Sequence, residues 1–149
     1  MNLENFLSEV SVHKIWNSQK GHGSALCLDM GSKNLKKGPK GIEYVEGDIC
    51  LWVYCCDWKI KLENKTLCHS ESMDEQIDEK LKLFVGTFLI NINKKSLTQI
   101  EIGFKNGLAI ILDNDSGDYE EDDDFFTLYL KGSNLSYNQK NGFTIEESE

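Results

Sequence analysis

Apolar and polar residues alternate with a period of two along most of the chain, which predicts a mainly β protein. Leu26, Leu28 and Met30 alternate with smaller or more polar neighbours. The stretch from Ile49 to Tyr54 is apolar throughout, as expected of a central strand covered on both sides. From there to Leu62 the alternation continues without a turn residue. We therefore expect one long strand, bent or bulged, over residues 49–62.

The second half of the chain repeats the strand pattern in shorter segments. Strands are predicted at residues 83–91, 97–105, 108–112, 125–130, 135–137 and 143–145. Asn106-Gly107 separates two of them, and Asn141-Gly142 precedes the last. Because both residue types tolerate positive φ, each pair predicts a tight hairpin turn.

One helix is predicted at about residues 72–83. Ser72 and Glu75 have the spacing of a capping box. The apolar face of this helix would carry Met73, Ile77, Leu81 and Phe84. With no linker and no internal repeat, residues 1–149 form a single β-rich domain. The fold class is mainly β, α+β at the margin: an antiparallel sandwich or rolled sheet of about 8–10 strands with one main helix.

The charge composition narrows the possible partners. The chain has 25 acidic side chains and 16 basic ones, all of them lysine, for a net charge of −9. Arginine is the residue best suited to bidentate contacts with phosphate and guanine. Its absence, together with the acidic balance, argues against binding to nucleic acid. Four lysines lie within residues 32–41, which we expect to be a solvated surface loop.

The chain shows no sign of export or membrane insertion. No apolar run approaches the roughly 20 residues of a membrane-spanning helix. The N-terminus lacks the basic flank and apolar stretch of a secretory signal. We therefore expect a cytoplasmic protein with no membrane partner; a homo-oligomer is compatible with the sequence.

Five cysteines are a high number for this length, and they include no C-x-x-C pair. They are Cys27, Cys50, Cys55, Cys56 and Cys68. The alternation places Cys27, Cys50 and Cys56 at core positions, so the favoured interpretation is buried, reduced thiols. A metal site and a redox or nucleophilic thiol are the less favoured alternatives. No metal and no cofactor are expected.

The most unusual segment is acidic: residues 113–124 contain eight carboxylates and no lysine. Three interpretations compete, namely a calcium loop, a solvated loop, and a surface that docks a basic protein. The calcium pattern begins with Asp113-x-Asp115, but the order of Gly117 and Asp118 departs from the one required. A docking surface could use Tyr119, Phe125 and Phe126 as aromatic anchors within a charged rim. The predicted partner-binding residues are Asp115, Asp118, Tyr119, Glu120, Glu121, Asp122, Asp123 and Asp124.

An alternative site lies near the Gly21-His22-Gly23 turn. A small-ligand-binding or enzymatic β-barrel would use a pocket near His22, Trp52 and Tyr54. The chain has no G-x-S-x-G elbow, P-loop or H-E-x-x-H motif, and no catalytic residues are predicted. The favoured interpretation is therefore a non-enzymatic protein.

Two stretches carry a resemblance to known proteins. The first runs from Gly21-His22-Gly23-Ser24 through Asp29-Met30-Gly31 to Gly47–Tyr54 and Asp57-Trp58-Lys59-Ile60. The second is Phe104–Leu108 with the acidic segment and Phe126–Tyr129. They resemble a family of small, uncharacterised, β-rich proteins of low-GC bacteria. In size and charge the chain also resembles immunity proteins of bacterial toxin systems. This resemblance implies a protein-binding module that neutralises a basic toxin.

Overall fold

The computed structural model describes residues 1–147 and arranges them as two antiparallel sheets. The helices are α1 (Leu3–Val10) and α2 (Asp74–Leu81), with 3-10 turns at Pro39–Gly41 and Lys82–Phe84. The first seven strands are β1 (Ile15–Lys20), β2 (Leu26–Lys37), β3 (Glu43–Val53), β4 (Asp57–Leu62), β5 (Lys65–His69), β6 (Leu89–Ser96) and β7 (Gln99–Phe104). The remaining four are β8 (Leu108–Asp113), β9 (Phe126–Leu130), β10 (Ser133–Asn138) and β11 (Gly142–Glu147). The mainly β class is confirmed, with eleven strands rather than about 8–10.

The two sheets enclose one hydrophobic core. One sheet has the order β1-β2-β3-β9-β10-β11, and the other has the order β5-β4-β8-β7-β6. The largest fully buried side chains of this core are Trp58, Tyr137, Phe6, Phe84, Phe125 and Phe126. Because the sheets remain separate and their inner faces are filled by these side chains, the barrel assumed in the alternative prediction is not formed.

Both Asn-Gly turns lie where the sequence predicts them. Gly107 has φ 86° between β7 and β8, and Gly142 has φ 71° at the start of β11. Glycine adopts this left-handed conformation without the steric cost that a Cβ would add.

The predicted long strand over residues 49–62 is wrong. β3 ends at Val53 in the six-stranded sheet, and β4 begins at Asp57 in the five-stranded sheet. Residues 54–56 therefore carry the chain from one sheet to the other, and the Tyr54 amide donates to the carbonyl of Phe125 (3.1 Å). This hydrogen bond satisfies the Tyr54 amide where β3 ends. Residues 54–56 contain no glycine or proline, so no turn residue marks the passage between the sheets.

The lysine-rich segment at residues 32–41 is not a loop but most of one side of a long hairpin. β2 continues to Lys37 and pairs with β3 as far as Lys37↔Glu43. We call residues 31–47 the arm. The register shifts between Met30 and Lys33, where Gly31 has φ 75°. Opposite this shift, a Cβ on Gly47 would collide with the carbonyl oxygen of Met30. The two glycines therefore permit the close backbone approach at the base of the arm.

The N-terminal helix α1 adds a second helix to the one predicted. The Asn2 side chain accepts a hydrogen bond from the Asn5 amide (2.8 Å), which caps the helix. Phe6 and Val10 are fully buried, and they fix α1 against the core. Neither helix within residues 1–147 is long and apolar enough to cross a bilayer.

The predicted helix is present as α2 followed by a 3-10 turn, but its start differs from the prediction. The Ser72 hydroxyl accepts from the His69 amide (3.0 Å) instead of capping the helix, and Met73 occupies the N-cap position. Met73 is 69% exposed, whereas Ile77, Leu81 and Phe84 are buried as expected. The capping-box prediction is wrong because Ser72 closes the end of β5.

We expect Gly47→Ala to destabilise the protein by about 2–4 kcal/mol, because the new Cβ would have to displace backbone. In addition to the collision with Met30, it would lie 2.9 Å from the carbonyl oxygen of Ile49. The free energy of unfolding from urea titrations followed by circular dichroism measures the effect.

Gly38→Ala is the matched control, because a Cβ there would have its nearest contact at 3.4 Å, on the Ile42 carbonyl oxygen. It should change the free energy of unfolding by less than about 0.5 kcal/mol. Equal effects of the two substitutions would contradict the close approach at the base of the arm.

Candidate acidic surface

The acidic segment connects β8 of one sheet to β9 of the other, and it runs beside the β3–β4 crossing. Ser116 donates its hydroxyl hydrogen to the Asp57 carboxylate (2.8 Å) at the start of β4. The Tyr54 hydroxyl lies 2.9 Å from the Thr127 hydroxyl and 3.4 Å from Asp124 Oδ2. Both passages of the chain between the sheets therefore meet at the same end of the sandwich.

Asn114 holds the first half of the acidic segment in one conformation. Although polar, it is only 8% exposed. Its amide nitrogen donates to the Tyr119 carbonyl (3.0 Å) and to Gln139 Oε1 (2.7 Å), and its Oδ1 accepts from the Tyr119 amide (3.2 Å). These three bonds close residues 114–119 into a compact turn and attach it to the β10–β11 turn.

The second half of the segment is fixed by its own carboxylates and by β10. Asp123 Oδ2 accepts from the Glu120 amide (2.9 Å), and Asp124 Oδ1 accepts from the side chain of Asn138 (3.0 Å). The Lys140 amide donates to the Glu121 carbonyl (3.0 Å). The segment is thus an ordered surface with its backbone hydrogen-bonded at both ends.

The fold adds two carboxylates that are distant in sequence. Asp57 and Glu71 line a cleft of about 240 Å³ together with Asp113 and Asp118. We call the carboxylates of residues 113–124, with Asp57 and Glu71, the acidic surface. Sequence reasoning missed these two because only the pairing of β4 with β8 and the turn after β5 bring them here.

Two like charges stand directly opposite each other on this surface. Asp57 and Asp113 are register partners across β4 and β8, an arrangement that costs stability in a sheet. Burial raises the pKa of Asp113, and the charges of Asp115 and Asp57 raise it further, while the Asp115 amide and Lys59 act in the opposite direction. Ionised Asp113 thus disfavours folding at neutral pH, first through its burial and then through the neighbouring charges of Asp115 and Asp57.

The acidic surface has no compensating ion pairs within residues 1–147. The four ion pairs found there involve Glu147, Asp74, Glu79 and Glu101. Lys59 is the one lysine among the residues that line the cleft. The negative charge of this surface is therefore directed toward solvent.

The three proposed aromatic anchors differ in their placement. Phe125 and Phe126 are fully buried in the core, so the prediction that they could contact a partner is wrong. Phe126 is the first residue of β9 and belongs to the core, and Phe125, just before the strand, packs its ring against that of Tyr137. Tyr119 is half-buried on the surface, and burial together with the charge of Asp57 raises the pKa of its hydroxyl. Tyr119 is the one aromatic anchor of the three that remains accessible.

The carboxylates of the segment do not converge as the calcium interpretation requires. Asp113 Oδ1 accepts from the Asp115 amide (3.1 Å), and Asp115 Oδ1 accepts from the Thr98 hydroxyl (3.2 Å). In the part of the chain that the structure describes, no three ligand atoms of this segment lie close enough together to share an ion. The one group that does is Cys27, Asp29 and Cys50, in the six-stranded sheet.

The residues of the alternative site are not gathered in one pocket. His22 is exposed at the predicted turn, where the Ala25 amide donates to its carbonyl (3.3 Å). Trp52 packs near Gly21 and lines a cleft of about 300 Å³ on the outer face of the six-stranded sheet. Neither His22 nor Tyr54 lines that cleft, since Tyr54 bonds to residues at the acidic end.

The cysteines are free thiols, and the three expected at core positions are buried. Cys56 lies in the core between the sheets, whereas Cys27 and Cys50 are buried on the outer face of the six-stranded sheet. Cys68 is also buried, and Cys55 is half-buried. Burial raises the pKa of Cys56 and Cys68, so these thiols are protonated and unreactive at neutral pH.

We expect Asp113→Asn to raise the melting temperature at pH 7 by about 1–3 °C. The folded-state pKa of Asp113 lies above the unfolded value, so ionisation disfavours the folded state above that pKa. This penalty disappears as the pH falls through the folded-state pKa toward the unfolded value of about 3.9. The gain from Asp113→Asn should therefore shrink over the same range in thermal melts.

Asp78→Asn removes the same charge from an exposed position on α2 and serves as the control. An equal gain in both variants, or a gain from Asp113→Asn that persists in acid, would show that ionisation of the half-buried Asp113 does not destabilise the fold.

The comparisons with known proteins do not assign this chain to a family. No family model, no curated protein and no solved structure matches it. The resemblance to small bacterial proteins and to immunity proteins therefore stays a prediction. The functional inference rests on the geometry and charge of the acidic surface.

Proposed function

We propose that this chain is a non-enzymatic protein-binding module whose acidic surface docks a partner with a basic surface. The observation that carries the proposal is a dense group of carboxylates that are held in place yet form no ion pairs within residues 1–147. A carboxylate that pairs with a lysine of its own chain is neutralised. The carboxylates of this surface keep their field available to a partner.

The fixed conformation of the acidic segment supports a docking role over a purely solubilising one. A flexible segment would lose conformational entropy on binding, whereas one already fixed by Asn114 and Asn138 loses little. Repulsion among like charges favours an extended loop. The hydrogen bonds that hold this loop compact oppose that tendency and present the charges as one surface.

The like-charge pair of Asp57 and Asp113 also supports a binding role. Direct opposition of two carboxylates costs stability, and proteins commonly accept such costs where a function needs them. A lysine or guanidinium group of a partner placed in the cleft between Asp57, Asp113 and Glu71 would relieve the repulsion. Binding and relief of strain would then occur together.

Tyr119 supplies the apolar part of the proposed interface. Its backbone is held at both the amide and the carbonyl by Asn114, so the residue is presented from a preorganised backbone. Tyrosine is enriched at the energetic centres of interfaces because its ring is large and its hydroxyl can form a hydrogen bond. The charges would set the rate of encounter, and Tyr119 would slow dissociation.

A basic toxin is the partner class that we propose, with this chain as the immunity protein that neutralises it in the cytoplasm. The five free thiols support a reducing compartment, because cysteines in oxidising compartments are commonly paired. The direct test is co-production with a basic toxin domain encoded beside this chain's gene. Growth should be rescued by the wild-type chain, and a neighbourhood without such a domain would argue against the toxin as partner.

Replacing three charges of the acidic surface should slow association with that toxin domain about tenfold or more at low salt. The variant combines Asp118→Asn, Glu121→Gln and Asp122→Asn, whose side chains are exposed and form no hydrogen bond within residues 1–147. The loop should therefore keep its structure. Stopped-flow measurement of the association rate gives the result.

The matched control combines Glu9→Gln, Glu43→Gln and Asp78→Asn, which removes the same net charge from three exposed positions elsewhere. It should slow association far less. The wild-type rate should also fall steeply as salt shortens the Debye length from about 30 Å at 0.01 M to about 3 Å at 1 M. Equal slowing by both triple variants, or a rate indifferent to salt, would contradict docking through the acidic surface.

Tyr119→Ala should raise the dissociation rate about tenfold and leave the association rate nearly unchanged, because it removes an apolar contact and no charge. Tyr129→Ala is the control, since this tyrosine is 41% exposed on β9 outside the acidic segment. Surface plasmon resonance with the immobilised toxin domain separates the two rates. A change confined to the association rate would rule out Tyr119 as an anchor.

A further inference from the structure

A second cluster of chemically active side chains lies on the outer face of the six-stranded sheet, separate from the acidic surface. Cys27 and Asp29 are alternate residues of β2 and so face the same side. Asp29 is the register partner of Cys50 on β3. The two sulfurs are 3.2 Å apart, and one ligand atom from each of the three residues lies within 4.8 Å of the other two.

All three side chains of this cluster are buried. Cys27 is 4% exposed, Asp29 is 2% exposed and Cys50 is 1% exposed. None of them belongs to the core between the sheets, so their burial comes from the outer face and from the arm above it. Tyr44, on the arm, lines the same cleft as Cys27 and Asp29.

The Asp29 carboxyl group is oriented by two donors. Asn17 Nδ2 donates to Oδ2 (2.9 Å), and the Gly47 amide donates to Oδ1 (3.2 Å). Each oxygen keeps a second lone pair after these bonds. Outer contacts of this kind are typical of carboxylates that ligate metals, because they fix the direction of the free lone pairs.

No cation balances this cluster within residues 1–147, since none of the four ion pairs there includes Asp29. Removing a carboxylate from water is costly unless a charge or several hydrogen bonds compensate. A bound cation would supply the missing charge.

We propose that Cys27, Asp29 and Cys50 form a binding site for a soft divalent cation of the zinc class. Two thiolates and a carboxylate suit Zn²⁺, whereas Ca²⁺ and Mg²⁺ prefer oxygen ligands alone. On binding, the two thiols release their protons to solvent and each sulfur donates an electron pair to the metal. With Zn–S bonds of about 2.3 Å in a tetrahedron, the sulfurs would stand about 3.7 Å apart. This requires them to separate by only about half an ångström.

The fourth coordination position would face the cleft of about 300 Å³ on the outer face. Gln19, Val45, Glu46 and Trp52 complete its lining, so a water molecule would fill that position. Because the Gly47 amide of the arm donates to Asp29, metal binding would couple the arm to the sheet. This site is independent of the proposed docking role, and each can fail without the other.

Titration of the reduced chain with Co²⁺ tests the site. The expected result is one equivalent of Co²⁺ bound with thiolate-to-metal charge-transfer absorption, displaced by one equivalent of Zn²⁺, and a higher melting temperature with either metal. Cys27→Ser and Cys50→Ser should each weaken binding about 100-fold or more. Asn17→Ala, which only loosens Asp29, should weaken it about tenfold.

Cys55→Ser is the matched control, because Cys55 is half-buried and lies near Asp123 and Asp124, where adventitious binding would occur. It should leave the affinity unchanged. Circular dichroism of the metal-free variants shows whether each is folded, and Asn17→Ala tests the site even if a serine variant unfolds. Absence of stoichiometric binding, loss of binding through Cys55→Ser, or a Cys27–Cys50 disulfide that persists under reducing conditions would each overturn the proposal.

Discussion

The burial of Phe125 is the constraint on which the acidic end of the molecule depends. Its carbonyl accepts from the Tyr54 amide (3.1 Å) and from the Cys56 thiol (3.5 Å), and its amide donates to the Tyr137 carbonyl (2.9 Å). Its ring packs against that of Tyr137, with the centroids 5.4 Å apart. One buried residue thus joins both crossings between the sheets to β10. The acidic segment ends at Phe125, so it must return to this end of the sandwich. Its carboxylates therefore lie on the surface beside Asp57.

This constraint explains why the acidic segment is both crowded and ordered. The segment is anchored at its end by Phe125 and near its start by the buried Asn114, so it cannot spread out to relieve its own repulsion. The energetic cost appears where β4 and β8 place Asp57 opposite Asp113. A domain shaped by stability alone would gain from a lysine at either position. The retained repulsion is easier to understand if a cationic group of another protein completes the surface.

The sequence predicts those features that depend on local periodicity. Trp58 and Ile60 are buried as alternation requires, and Gly107 closes its hairpin, because both outcomes depend on neighbouring residues only. The crossing at residues 54–56 escapes prediction because its Tyr54 amide and its Cys56 thiol both donate to the carbonyl of Phe125, 69 or more positions away. The helix α1 could have been found, since Phe6 and Val10 have helical spacing and Asn2 is a capping residue.

The candidate sites also combine features that local sequence predicts with features that depend on tertiary structure. Eight carboxylates of the acidic surface lie within twelve consecutive residues and are found by counting along the sequence. Asp57 and Glu71 join them only through tertiary structure. Alternation places Cys27 and Asp29 on one face of β2. Their proximity to Cys50 depends on the register between β2 and β3. The sequence does not reveal that register, because the strands continue through residues 32–37, whose lysines predict a loop.

The acidic surface and the Cys27–Asp29–Cys50 cluster share one property: backbone geometry holds side chains together without a neutralising charge. At the acidic end, the two passages of the chain between the sheets bring the carboxylates together. On the outer face, the register shift beside Gly31 and Gly47 brings the arm near Cys27 and directs the Gly47 amide at Asp29. A small domain has few ways to hold such groups close without a counter-charge of its own. Under the two proposals, each site would take its complement from outside the chain: a cationic protein surface at the solvated carboxylates, and a single compact cation at the buried Cys27, Asp29 and Cys50.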